Sequence, residues 1–215
     1  MSAQPGILAR GPWPVERVEA VWTEEHFDPS DDHVAAADDA ITALRDRGSP
    51  SHDGIAARLV GHRVEGDRLH LELQPIRWAM RLVEGDANDS VAGLCVIRDG
   101  DGRWLAGRRA AWLSSWAGRW ALGAGGAVDP FENPVDTLAR EMQEEWQLVP
   151  DRVQAEALVR LPHSLVMLIG QAWVPAGSEV VMDAEHDAHA WWPADVSDWP
   201  DEADEPLRRV AEMLG

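Results

Sequence analysis

Lysine and tyrosine are absent from this 215-residue chain, phenylalanine occurs twice and cysteine once. The single thiol, Cys95, excludes an internal disulfide and fits a reducing cytoplasm. No apolar run reaches the ~18–20 residues that a bilayer-spanning helix needs. The opening MSAQPGILARGPWP lacks the basic flank, apolar core and small-residue cleavage site of a signal peptide. Positive charge is also scarce: 19 basic residues, all arginine, stand against 38 acidic ones, for a net charge of −19. So acidic a surface repels nucleic-acid phosphates and anionic headgroups, which argues against nucleic acid or a membrane as a partner. The absence of lysine beside 12 tryptophans reads as GC-rich bacterial codon bias. The choice of arginine at any one position therefore carries little weight.

What remains is ordinary globular composition, and the length suits one substantial domain with an appendage. Residues 31–46 predict a helix, with Val34, Ala37, Ile41 and Leu44 at helical spacing and Gly48 just beyond. ARLVGHRVEGDRLHLELQPI alternates on both sides of EGD and predicts a hairpin with Leu69, Leu71 and Leu73 on one face. The polar stretch EGDAND, residues 84–89, is the natural boundary between a small α+β N-terminal subdomain over 1–85 and a domain over 90–215. In the second region SVAGLCVIRD, RWLAGRR, AEALVRLP and SLVMLIGQAWVP are strand candidates. A C-terminal helix with Leu207, Val210, Ala211 and Leu214 inward closes the chain, so this region predicts an α/β layered domain.

The chemistry concentrates in AREMQEEWQL, residues 139–148. Asn133 suits an N-cap, Pro134 the first helical position and Asp136 the positive end of the dipole. At about 100° per residue, Glu144 lies roughly −60° and Glu145 roughly +40° from Glu141, so three carboxylates share one arc. Val135, Leu138, Met142, Trp146 and Val149 occupy the adjacent arc. Like charges so placed oppose the helix by ~0.2–0.5 kcal/mol per pair. A solvated acidic face is the bland explanation. A hard divalent cation such as Mg²⁺ or Mn²⁺, which favours several carboxylates and phosphate oxygens, would reverse the balance.

The text around this helix, GAGGAVDPFENPVDTLAREMQEEWQL, resembles the signature box of the Nudix hydrolases. Gly126, Glu132, Arg140, Glu141, Met142, Glu144, Glu145 and Leu148 match eight of the nine defined positions over 23 residues. Gln147 replaces the last glycine, Phe131 the glycine usual before the first Glu, and Ala124 the proline usual before the glycine pair. The resemblance covers roughly residues 90–215 and implies an α/β/α sandwich with a mixed sheet. It also implies Glu141, Glu144, Glu145 and the Gly125 carbonyl as ligands of Mg²⁺ or Mn²⁺, and Arg140 paired with Glu132 or orienting Glu141. Gly126 and Glu132 would be structural. Gln147 is expected to let the helix run on or end differently, since a left-handed exit costs a non-glycine residue roughly 1 kcal/mol.

The implied reaction is hydrolysis of a nucleoside diphosphate linked to another moiety, a nucleotide sugar or ADP-ribose being the leading class. Pro162 sits about where ADP-ribose pyrophosphatases carry a proline. For the general base, Glu141 and a later acid are both open, with Glu185 favoured over Asp187. Arg108 and Arg109 are candidate phosphate contacts. His186 and His189 read as surface-loop residues. Trp112, Trp116 and Trp120 recur at helical spacing, suited to packing or to stacking a base. Residues 1–85 could pair with a second copy in a homodimer, cover the pocket or extend the sheet. Two rivals remain at this point. One is a non-catalytic Nudix binding or regulatory module. The other is an isopentenyl diphosphate isomerase-like enzyme, for which Cys95 reads as core rather than as a catalytic thiol.

Overall fold

The computed structural model describes residues 4–49, 53–113 and 116–215. The first three residues of the N-terminal stretch read above lie outside them. The elements run β1 (Gly6–Pro14), β2 (Val18–Trp22), α1 (Asp31–Asp46), β3 (Ile55–Glu65), β4 (Arg68–Arg77), β5 (Val91–Asp99), β6 (Trp104–Arg109), β7 (Trp120–Leu122) and β8 (Ala124–Ala127). They continue through α2 (Pro134–Trp146), β9 (Arg152–Arg160), β10 (Val166–Val174), β11 (His186–Trp192) and α3 (Glu205–Leu214). No helix among the described residues is long and apolar enough to cross a membrane.

A mixed eight-stranded sheet has the order β1-β9-β10-β5-β6-β11, with β7 on β6 and β8 on β5. Strands β5 and β10 are parallel, pairing Val91 with Val166. Period-2 alternation divides the sheet's side chains between two cores. Cys95, Ile97, Leu105 and Leu168 join Leu138, Met142 and Trp146 of α2 on one face. On the other, Val96, Trp104, Ala106 and Ile169 join Leu207, Ala211 and Leu214 of α3. This is an α/β/α sandwich, as the resemblance implies.

A second sheet of three strands, β2-β4-β3, packs Leu69, Leu71 and Leu73 into the α2-side core. The EGD hairpin forms as the alternation predicts, with Glu65 opposite Arg68. Helix α1 starts at Ser30, whose Oγ accepts the His33 N–H, and buries Ala37, Ile41 and Leu44 against Ile76, Ala79 and Met80. Residues 84–89 form a tied corner: the Ala87 N–H donates to the His163 carbonyl at 2.6 Å and Arg160 Nε to Asp89 at 2.9 Å.

Residues 6–14 extend the main sheet, one of the roles left open for the N-terminal part: β1 pairs antiparallel with β9, Gly6 opposite Arg160 and Trp13 opposite Ala155, as an edge strand. The tryptophans at helical spacing lie on no helix. The chain doubles back between β6 and β7, with Arg108 opposite Trp120 and a positive φ at Trp116 and Gly118. Strand pairing on both sides of the connection overrides the periodicity.

Candidate active site

Helix α2 carries the site and its ends are fixed by local chemistry. The Asn133 side chain caps the N-terminus by accepting the Val135 N–H at 3.3 Å, and Pro134 opens the first turn. At the far end the helix neither runs on nor ends differently: Gln147 takes the left-handed conformation itself, φ 51° and ψ 32°. Its N–H donates to the Gln143 carbonyl, and that of Leu148 to Met142, which closes the last turn. Leu148 is buried, so its entry into the core holds the strained exit in place. Phe131 likewise takes φ 65° before Glu132, its ring 5.4 Å from Trp22. Both departures from the box thus reproduce the backbone a glycine would adopt.

Val135, Leu138, Met142 and Trp146 point into the core, which rotates Glu141 and Glu145 to the edge of the buried face. Glu141 is 8% exposed and Glu145 4%, whereas Glu144 stands in solvent. Arg140 binds the cluster together. Its Nε and Nη2 donate to Glu132 at 3.0 and 3.2 Å, Nη2 to the Ala127 carbonyl at 2.9 Å, and Nη1 to Glu141 at 2.7 Å and Glu144 at 3.1 Å. The Gly125 N–H donates to Glu145 Oε1 at 2.9 Å. A Cβ on Gly126 would collide with the Glu141 carboxylate, so only glycine leaves that carboxylate its place.

Burial, opposed by Arg140 and reinforced by Glu144, lifts the Glu141 carboxyl to about 7. Burial raises Glu145 well above the usual carboxylate value, against the Gly125 N–H and with Glu141 adding to it. Glu132 goes the other way: burial would lift it, but hydrogen bonds from Arg140 and Thr137 hold it below the ordinary range. Glu185 is raised by burial against the pull of Arg109, whose Nη2 lies 3.7 Å from it.

Glu141, Glu145 and Glu185 line a cavity of about 540 Å³, within the usual range for small-molecule sites. Six acids line it (Asp129, Glu141, Glu144, Glu145, Asp183 and Glu185) against three arginines (Arg81, Arg109 and Arg140). Among the described residues no three acids or histidines stand as a ready-made cage around an ion, because Arg140 ties Glu141 and Glu144 to itself. The donor set still fits a hard divalent cation: the donors are carboxylate oxygens, and two of the carboxylates are held buried at a cost that a cation would remove.

Arg109 and Glu185 reach the cavity; Arg108 does not line it. Successive strand residues face opposite sides, and Arg108 pairs instead with Asp187 at 2.6 Å. Pro162 is exposed and also does not line the cavity. Cys95 is fully buried in the sheet, its thiol pushed up by burial, which leaves the isomerase reading without a cysteine nucleophile.

His186 is not a surface-loop residue. It begins β11, is 6% exposed, stacks on Trp146 at 4.3 Å and contacts Asp183 through Nδ1 at 3.2 Å. Its Nε2 lies 3.8 Å from Glu145. Burial pulls the ring below its ordinary value, against the opposing effect of Asp183. A bulge between His186 and Ala188 turns its ring to the α2 face, and Gly107 makes room for it. His189 is exposed. Sequence reasoning also missed Trp78, Arg81 and Asp183, which line the cavity from outside the box and follow no motif.

No curated protein matches the chain. Among solved structures, a MutT NUDIX hydrolase from Burkholderia pseudomallei is 25% identical, covering 59% of this chain and 98% of its own, with a TM-score of 0.47. The NUDIX domain of Shewanella oneidensis NrtR, complexed with ADP ribose, is 21% identical, covering 59% and 88%, with a TM-score of 0.46. A C. elegans Ap4A hydrolase is 16% identical, covering 58% and 94%, also with a TM-score of 0.46. A family model described as the NUDIX domain matches residues 89–213, more than half of the chain and all of the box, and the chain belongs to the Nudix hydrolase family.

Proposed function

We propose that this hydrolase cleaves the phosphoric anhydride bond of a nucleoside diphosphate linked to another moiety, a nucleotide sugar or ADP-ribose, with Mg²⁺ or Mn²⁺. The reading rests on one observation: two carboxylates, Glu141 and Glu145, are kept buried at the edge of a cavity that also presents arginines. Buried like charges are costly unless something of opposite sign joins them, and a phosphorylated ligand brings such cations with it. Glu141, Glu144, Glu145 and the Gly125 carbonyl would hold the cation. When bound, it supplies the charge that polarises the P–O bond and acidifies water. Arg140, fixed by Glu132 and the Ala127 carbonyl, orients Glu141 and does not touch substrate. Glu185 serves as the general base: it borders the cavity, and burial moves its carboxyl toward the pH at which a base works. Arg109 holds Glu185 and offers its guanidinium to a phosphate oxygen.

The test is phosphate release, after phosphatase coupling, from a panel of nucleotide sugars, ADP-ribose, NADH and nucleoside triphosphates, with Mg²⁺ or Mn²⁺. The wild type runs beside Glu145→Gln and Glu185→Gln. Turnover of one compound, abolished in Glu145→Gln and lowered mainly in kcat in Glu185→Gln, is the expected result. Metal binding without turnover anywhere on the panel would sink the hydrolase reading in favour of a binding module.

A further inference from the structure

The box does not build the whole cavity. Part of its wall comes from the 3-10 segment Trp78–Leu82, just after β4, with Gly54 and Ile55 also lining it. That segment is firmly held. The Ala79 N–H and Arg77 Nε both donate to the Asp53 carboxylate, at 3.1 and 2.6 Å, and the Trp78 N–H donates to the Gly54 carbonyl at 2.8 Å. Ala79 and Met80 are fully buried against Ile41 and Leu44 of α1. A rigid scaffold of α1 and β4 therefore presents the next side chain, Arg81, to the cavity.

Arg81 is the odd cation of the site. Arg140 has four hydrogen-bonded partners and Arg109 lies beside Glu185. Among the described residues Arg81 has no carboxylate within ion-pair distance and no hydrogen-bond acceptor; its guanidinium only leans over the Trp78 ring at 5.6 Å. It is largely buried, and desolvation outweighs the attraction of Glu141 and Glu185 to pull it below its usual value, with Arg109 adding repulsion. A planar guanidinium facing a cavity, close enough to a second one to repel it, suits an anion with oxygens for both. The apolar groups beside it, Trp78, Leu82 and Ile55, suit an organic group continuing from that anion.

We propose that Arg81 is a substrate-binding residue supplied by the N-terminal part of the chain. It donates to the phosphate of the diphosphate that the carboxylates of α2 do not face. This deepens the hydrolase reading and rests on it. It gives the segment Trp78–Leu82, with Gly54 and Ile55, a role in the wall of the substrate cavity. The chain would then discriminate two linked phosphates from one.

The experiment uses the full chain in saturating Mg²⁺. Methylenediphosphonate, a diphosphate analogue whose P–C–P bridge resists hydrolysis, and methylphosphonate are titrated by calorimetry into wild type, Arg81→Gln and Arg81→Lys. Loss of a charge-assisted, two-point contact weakens binding by roughly 10- to 100-fold. The expected pattern is that loss for the diphosphonate with Arg81→Gln, less than about 2-fold change for methylphosphonate, and partial recovery with Arg81→Lys. An Arg81→Gln protein that binds the diphosphonate as wild type does, or loses both phosphonates equally, overturns the assignment. The two readings fail separately. Diphosphonate binding through Arg81 without turnover on the substrate panel removes the hydrolase reading alone. Turnover with a KM unchanged by Arg81→Gln removes Arg81 alone.

Discussion

Replacing Glu141 with Gln should make the metal-free protein more stable, and only at high pH. In the unfolded chain this carboxyl titrates near 4.5; in the folded, metal-free protein burial lifts it to about 7. The folded state therefore binds the proton more tightly. The resulting stability is complete below pH 4.5 and is lost as pH rises through about 7. At about 1.4 kcal/mol per pH unit, that interval amounts to roughly 3 kcal/mol of cost carried by the ionised form at pH 8. Gln mimics the neutral carboxyl and still accepts from Arg140, so the variant escapes this cost. For a chain of this size about 1 kcal/mol moves Tm by roughly 2–4 °C, which makes the gain up to roughly 6–12 °C at pH 8. At pH 5 wild type is protonated at this position, and the two proteins should melt together. The assay is thermal melting in EDTA at both pH values. Adding Mn²⁺ at pH 8 should then raise wild type more than the variant, because the ion binds the folded carboxylates. A variant no more stable than wild type at pH 8, or equally advantaged at pH 5, would refute the reasoning.

The other substitutions test the frame around the carboxylates. Gly126→Ala places a methyl group where the Glu141 carboxylate lies, so kcat should fall by roughly 100-fold through misplacement, while circular dichroism shows the fold retained. Unchanged turnover would mean that the carboxylate moves aside freely. Gln147→Gly relieves a left-handed residue at the end of α2 and should raise the unfolding free energy, measured by urea titration, by about 0.5–1 kcal/mol, with activity intact. A fall instead would assign the Gln147 side chain a contact of its own.

The features that the sequence determined by itself are those encoded within one or two turns of chain. Helix α2 begins at Asn133 because an amide oxygen there can take a free N–H, and its two faces follow from a 3.6-residue period. The EGD hairpin and the burial of Leu69, Leu71 and Leu73 follow from a 2-residue period and a turn sequence. The box spacing ordered Glu132, Arg140, Glu141, Glu144 and Glu145 before any coordinates did. Tertiary structure alone decided what depends on partners far away in sequence. Residues 6–14 became a strand of the main sheet only because β9 offered its edge. A one-residue bulge turned the His186 ring to the α2 face, and simple alternation sent Arg109 to the cavity and Arg108 away from it. Arg81 sits in no motif, and it borders the same cavity as Glu141 only because the segment that carries it packs on α1. Local periodicity selects elements, but faces, edges and cavity walls are set by strand register and by packing between distant segments.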